Sequence, residues 1–348
     1  MRVLNPRGSL LLACATVAAL ALLSSPASAD RRPGSQGGTQ ATGDRSGTAL
    51  TSQVTYSGNT GGGGGGSRNQ AVTPVGDWTP PACWYEPRTA EEFAKYMEDT
   101  YESVVNMPGQ HSYAKTSAGQ TREYYKDGEY KNYNIKKSDE GLWWVAVRDE
   151  DRWMEEAAKA CSEPPAWVEN GETPDLPNAI TPEVLAQLAY NQIHVPDTEV
   201  SLAPEAKSKV NLPTWAWLDQ ATFKPVEVTA SLTVNGLNIS ATTVARPDSL
   251  TIDPGTKDAT LHPASGQCGL NGDKGVGEPY AKGKAGQEPP CGVTYLRASG
   301  KSAYDLNATV TWKIGWTGTG QPEEQALPDG AFGNNQDVVV EEIQSVNR

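Results

Sequence analysis

The side chains best suited to recognition in this chain are aromatic, and they come in groups. Trp215 and Trp217 stand two residues apart, so on a strand they share one face. Trp312 and Trp316 obey the same rule. Flat rings aligned on an exposed face could stack on the pyranose rings of a polysaccharide, whereas buried rings would fill a core. Trp143 and Trp144 are adjacent and must point to opposite faces of a strand, so one leaves the main core unless another layer covers it. Tyrosines crowd residues 113–133, with Tyr124, Tyr125 and Tyr130 at the centre, and Tyr-rich polar surfaces suit protein recognition. The candidate binding residues are therefore Trp215, Trp217, Trp143, Trp144, Tyr124, Tyr125 and Tyr130.

Reactive groups are sparser. His111, His194 and His262 each stand alone in sequence. No Gly-x-Ser-x-Gly elbow, His-Glu-x-x-His helix or Gly-x-Gly-x-x-Gly turn with a following acid occurs. Carboxylates cluster at Asp149-Glu150-Asp151, Glu155-Glu156, Glu323-Glu324 and Glu341-Glu342. They offer an acid/base pair for glycoside cleavage, and the first offers hard oxygen ligands for calcium without calcium-loop spacing. That cluster suits a helix N-terminus equally well. The expectation is no catalytic residue, no metal and no cofactor. A hydrolase would need groups assembled only in space.

The balance of 29 basic against 42 acidic residues, a net charge of −13, argues against nucleic acid, whose phosphates need a basic patch. It argues equally against electrostatic docking on anionic lipid. Residues 1–29 read as a secretory signal: Arg2 and Arg7, an apolar core over 10–23, then Ala27-Ser28-Ala29 before Asp30. The apolar core is shorter than a membrane span, so no stable insertion is expected after cleavage; a retained leader would instead act as an anchor. Four cysteines follow the leader. An even number in an exported chain favours disulfides, and of three connectivities sequence neighbourhood favours Cys83–Cys161 and Cys268–Cys291.

These groups need elements to position them. Residues 30–76 are rich in Gly, Ser and Thr, with a glycine run at 61–66, and should form a disordered tail. Residues 77–172 read as a small α+β module. In it Thr89-Ala90-Glu91-Glu92 forms a capping box ahead of a helical stripe from Phe93 to Val105 that Pro108-Gly109 ends. Asp127-Gly128 reads as a hairpin turn, 142–147 as a strand and 151–160 as a short helix delivering Cys161. Residues 164–177 read as a proline-rich acidic connector, and 173–197 as a helical connector whose helix is capped by Thr181 with Pro182 at its first position. From 198 to 348 period-two alternation dominates. It is cleanest over 304–316 and over 226–234, where Asn235-Gly236 turns the chain back. Further strands are expected at 249–252, 293–296 and 338–346, with a long exposed loop over 274–290.

Val210-Asn211-Leu212-Pro213-Thr214-Trp215-Ala216-Trp217-Leu218-Asp219, Cys291-Gly292-Val293-Thr294-Tyr295 and the Ala308-Thr309-Val310-Thr311-Trp312 run resemble signatures of secreted, streptomycete-type actinobacterial proteins. Those proteins are similar to the PKD domain, an immunoglobulin-like sandwich of extracellular adhesion and binding modules. Tyr295 and Tyr304-Asp305-Leu306 are similar to its Tyr-bearing elements. The Trp-Asp-Phe-Gly-Asp-Gly stretch typical of that domain is replaced by Leu250-Thr251-Ile252-Asp253-Pro254-Gly255, where only Asp253 and Gly255 correspond. The resemblance covers about residues 198–348.

The sequence thus points to a mainly β protein: a C-terminal PKD/Ig-like antiparallel β-sandwich, preceded by the disulfide-bonded α+β module and the Gly-rich tail. The expected role is a secreted, non-catalytic binding protein of the extracellular space or cell envelope with a protein partner. The alternatives are a cell-wall polysaccharide-binding module using exposed Trp and an extracellular hydrolase.

Overall fold

The alternating run at Tyr304 becomes one long strand, Tyr304–Gly318, whose even-numbered residues Leu306, Val310 and Trp312 are fully buried. Burying each such side chain stabilises by roughly 1.5–3 kcal/mol. In the computed structural model, which describes residues 39–41, 50–56, 70–197, 200–205, 207–218, 223–271 and 275–342, this strand lies inside the larger sheet, with a long strand on each side. The expected leader, the glycine run at 61–66 and the end of the strand expected at 338–346 lie outside the described residues. The sheet runs Thr39–Ala41, Leu50–Tyr56, Val226–Val234, Leu237–Asp253, Tyr304–Gly318, Gln321–Glu341, Lys207–Lys209. Every pair in that path is antiparallel except the short parallel contact of Lys207–Lys209 with Val339–Glu341. Asn235 and Gly236 both take positive φ at the expected hairpin, as a two-residue turn there requires. Its return strand runs on to Asp253 through a register shift between Pro247 and Ser249.

A four-stranded sheet in the order Ala259–His262, Gly292–Tyr295, Pro213–Trp217, Ser201–Ala203 contributes to the same core. Leu202, Ala216, Val293 and Tyr295 join it from one face, and Tyr295 stacks on Tyr304 of the larger sheet with centroids 5.2 Å apart. The expected connector helix, Pro182–Tyr190, is itself core. The Thr181 hydroxyl accepts from the Val184 amide, Leu185, Ala186 and Ala189 are fully buried, and the Thr243 hydroxyl donates to the Ala186 carbonyl at 2.9 Å.

The α+β module is built on a third sheet, Cys83–Arg88, Gly141–Arg148, Ala166–Glu169, with helices Ala90–Asn106 and Ser112–Glu123. Both of its faces are covered. Trp144 enters the main core beside Trp84 and Tyr85, while Trp143 enters a separate cluster with Phe93, Met97, Tyr125 and Tyr133. A strand buried on both sides reads as a continuous apolar run, which is why Leu142-Trp143-Trp144-Val145 shows no alternation. The disulfides join Cys83 to Cys161 and Cys268 to Cys291, with Cα separations of 6.0 and 5.5 Å.

Several local expectations differ from the structure. Strand pairing begins before Trp78: Leu50–Tyr56 pairs with Val226–Leu232, Gln70–Ala71 with His194–Val195, and Thr73–Pro74 with Gly330–Ala331. The segment expected to connect the modules supplies the end strand Ala166–Glu169. The polar stretch after Pro108 is helical from Ser112. Asp127-Gly128 closes no hairpin, because the helix continues through a wider π turn, Tyr124–Gly128, that carries Tyr125 inward against Phe93 and Trp143. The helix expected over 151–160 shrinks to a single 3-10 turn, Glu156–Lys159. Among the described residues no helix is long and apolar enough to cross a membrane.

Candidate functional site: a tyrosine-lined groove

The capping box fixes where the first helix starts. Glu92 N–H donates to the Thr89 hydroxyl at 3.1 Å, and the Glu92 carboxylate accepts from Thr89 N–H at 2.9 Å. From that start, Phe93 and Met97 face Trp143, with Phe93 stacked on its indole at a centroid distance of 4.2 Å. Directly after Met97, Glu98 sits at the junction of the helices. Its carboxylate accepts from Arg122 Nε at 2.6 Å, Lys126 Nζ at 2.8 Å and the Tyr133 hydroxyl at 2.8 Å. The Arg122 hydrogen bond first, then those of Lys126 and Tyr133, hold the Glu98 carboxyl down to about 2 against the opposing effect of burial. Tyr133 is held in turn by its carbonyl, which accepts from Trp143 Nε1 at 2.8 Å. Asn132, Tyr133 and Asn134 all have positive φ. Asn tolerates that conformation; for Tyr133 it costs on the order of 1 kcal/mol or more, offset by these contacts.

This anchorage turns the π turn so that Tyr124, Tyr125 and Tyr130 converge. Tyr125 and Tyr130 are nearly parallel at 5.8 Å, and Tyr124 meets both edge-on. With Gln120, Thr121, Pro164, Pro165 and Ala166 they line a groove of about 560 Å³, a size that receives small ligands or short peptide segments. Tyr125 forms the buried floor, its hydroxyl donating to the Pro165 carbonyl at 3.1 Å. Burial first, then the neighbouring Tyr124 and Tyr130, pushes its phenol up to about 12. Tyr130 is likewise raised by burial, and Tyr124 by its hydrogen bond to Glu129. All three stay neutral donors at ordinary pH, and Tyr124 is 45% exposed at the rim. Residues 112–137 carry six cationic side chains against three carboxylates; of the six, Arg122 and Lys126 pair with Glu98 and Lys137 with Glu140.

The other sequence-predicted residues are elsewhere. Trp143 and Trp144 are buried on opposite faces of their strand and offer no surface. Trp215 is only 2% exposed, yet it lies outside the core, on the outer face of the four-stranded sheet. It is covered there by Tyr280, edge-on at 5.8 Å, and by the Lys284 ammonium 5.2 Å above the ring. Residues 279–283 and 285–288 are exposed, as expected of this loop, while its inner members Val276, Gly277 and Lys284 fold over this face. Gly277 makes the approach possible: its φ is +77°, and a Cβ there would lie 2.6 Å from the Ala216 carbonyl oxygen. Trp217 is half-buried beside it. Trp312 and Trp316 belong to the core. Sequence reasoning did not anticipate Gln120, Thr121, Pro164, Pro165 and Ala166 as groove partners; the Pro-Pro pair, with Pro165 40 residues beyond Tyr125, was the one available signal. It also missed Trp153 and Met154, which are 61% and 75% exposed.

No protein-family model, curated protein or solved structure matches this chain.

Proposed function

We propose that this is a secreted binding protein of the extracellular space or cell envelope, whose tyrosine groove receives an extended, acidic segment of a protein partner. The PKD-like sandwich is its rigid carrier. The observation that carries the reading is the convergence of Tyr124, Tyr125 and Tyr130 with Pro164 and Pro165 in one groove. Tyr rings give large contact area at low conformational cost, and aromatic-lined grooves accept proline-containing extended segments. The lysines of residues 112–137 outside the Glu98 and Glu140 pairs, Lys115, Lys131 and Lys136, favour carboxylates by charge complementarity. Two disulfides suit an oxidising compartment, in keeping with the leader-like start of the sequence.

The test is selection from a phage-displayed library of short random peptides. Wild type should enrich acidic, proline-containing sequences, and the Tyr124→Ala/Tyr130→Ala double variant should bind them at least about tenfold more weakly. No enrichment, or enrichment unchanged in the double variant, would refute the reading. The polysaccharide alternative drew on Trp215 and Trp217 together; Trp215 is buried beneath residues 275–290, whereas Trp217 is half-buried.

A further inference from the structure

The four-stranded sheet places His262, Gly292 and Trp215 in one cross-strand row on its outer face, with Thr294 two residues along from Gly292. Glycine brings no side chain to that row, and a Cβ there would collide with the Thr214 carbonyl oxygen and meet the Pro289 ring at 3.1 Å, so the two strands approach closely beside the imidazole. His262 Nε2 is 2.9 Å from Thr294 Oγ1, and His262 Nδ1 is 2.7 Å from Glu288 Oε1. Hydroxyl, imidazole and carboxylate stand in the order of a nucleophilic relay. His262 is 9% exposed, Thr294 is half-buried, and Glu288 reaches in from the covering loop with its side chain 79% exposed. Across the row, in register with Gly292, Trp215 carries an Nε1 that is buried without a hydrogen-bond partner. A buried donor left unmatched is costly, and this one shares its face with the Thr294 hydroxyl. Diagonal neighbours on a sheet face lie within reach of an aromatic side chain. The Cys268–Cys291 disulfide binds the two arms together, its cysteines lying six residues after His262 and three after Glu288.

We propose that Thr294, His262 and Glu288 form an acyl-transfer site for small activated esters, independent of the tyrosine groove. Thr294 Oγ1 attacks the ester carbonyl carbon while His262 Nε2 takes its proton. The carbonyl oxygen, now negative, accepts from Trp215 Nε1. The bond to the alcohol oxygen breaks, His262 returns the proton to that oxygen, and an acyl-threonine and a free alcohol result. Water, deprotonated by His262, then attacks the acyl carbon, releasing the carboxylic acid and restoring the Thr294 hydroxyl. Glu288 is a positioning residue: it keeps the proton on Nδ1, leaving Nε2 as the base.

The experiment treats the full-length protein with a biotinylated fluorophosphonate and maps the adduct by mass spectrometry. The expected adduct is on Thr294. Thr294→Ser should still label, whereas Thr294→Val and His262→Asn should label at least about a hundredfold more slowly. Glu288→Gln should label about tenfold or more slowly, with a displaced pH–rate profile that a merely structural contact would not produce. Thermal melts identify any variant that fails to fold, and the Ser and Gln variants then carry the test. Absence of an adduct on wild-type Thr294, or a labelling rate untouched by His262→Asn, overturns the proposal.

Discussion

Glu98→Gln is the perturbation that bears most directly on how the groove is held. The carboxylate accepts three hydrogen bonds, from Arg122, Lys126 and Tyr133. The drop from the ordinary 4.5 to about 2 corresponds to roughly 3 kcal/mol at neutral pH. The side chains of Glu98, Arg122 and Lys126 are each about a third exposed, so solvent screening reduces this to about 1–2 kcal/mol. A neutral amide in place of the carboxylate cannot keep the ionic part, and the loss should appear as easier local opening of Ser112–Glu123 and the turn beyond it. Hydrogen exchange followed by mass spectrometry reads it: amides there should exchange about 5–30-fold faster than in wild type at pH 7. A depressed folded-state pKa gives stabilisation that is complete above 4.5 and lost as the pH falls through about 2. The ratio of variant to wild-type exchange should therefore approach one near pH 2. Equal exchange at pH 7, or a ratio that persists at pH 2, would refute the assignment of Glu98 as the junction of the two helices.

Other consequences are simpler. Trp143→Ala removes a fully buried indole stacked on Phe93 and should cost about 3–5 kcal/mol, read as a lower urea midpoint. Thr89→Ala deletes the side-chain half of the capping box and should cost about 1 kcal/mol, visible as a fall of a few degrees in thermal midpoint. Replacing Cys83 and Cys161 together should cost about 2–5 kcal/mol, so the double variant should yield to a protease that wild type resists.

The legible parts of the fold were those where local pattern and tertiary packing agree. Tyr304–Gly318 buries one face, so its alternation shows; the box at Thr89 and the Asn235-Gly236 turn carry their geometry in their residue types. The part of Gln321–Glu341 before Val338 was hidden because Pro322, Pro328, Gly330 and Gly333 interrupt any alternation. It survives as a strand through register shifts near Trp312 and Trp316 that absorb extra residues. Tyr124-Tyr125 and Tyr130 read as hairpin arms from β propensity, yet the pull of Tyr125 toward Phe93 and Trp143 kept the chain helical. Their recognition character was visible in composition; the partnership with Pro164 and Pro165 was not. Trp215 was weighed as core or exposed and is neither, because a loop far along the chain covers it. The approach of Thr294, His262 and Glu288 left no trace in sequence beyond the disulfide that ties their arms.

The most direct test of the groove is photocrosslinking from its wall. With p-benzoylphenylalanine at Thr121, and at exposed Val75 as control, the protein should be irradiated in contact with the surface of cells that produce it. Position 121 should capture an extended acidic segment of a protein, recoverable by mass spectrometry and competed by excess wild type but not by Tyr124→Ala/Tyr130→Ala. A capture pattern identical at 121 and 75, or one that the tyrosine-less variant competes equally well, would contradict the account.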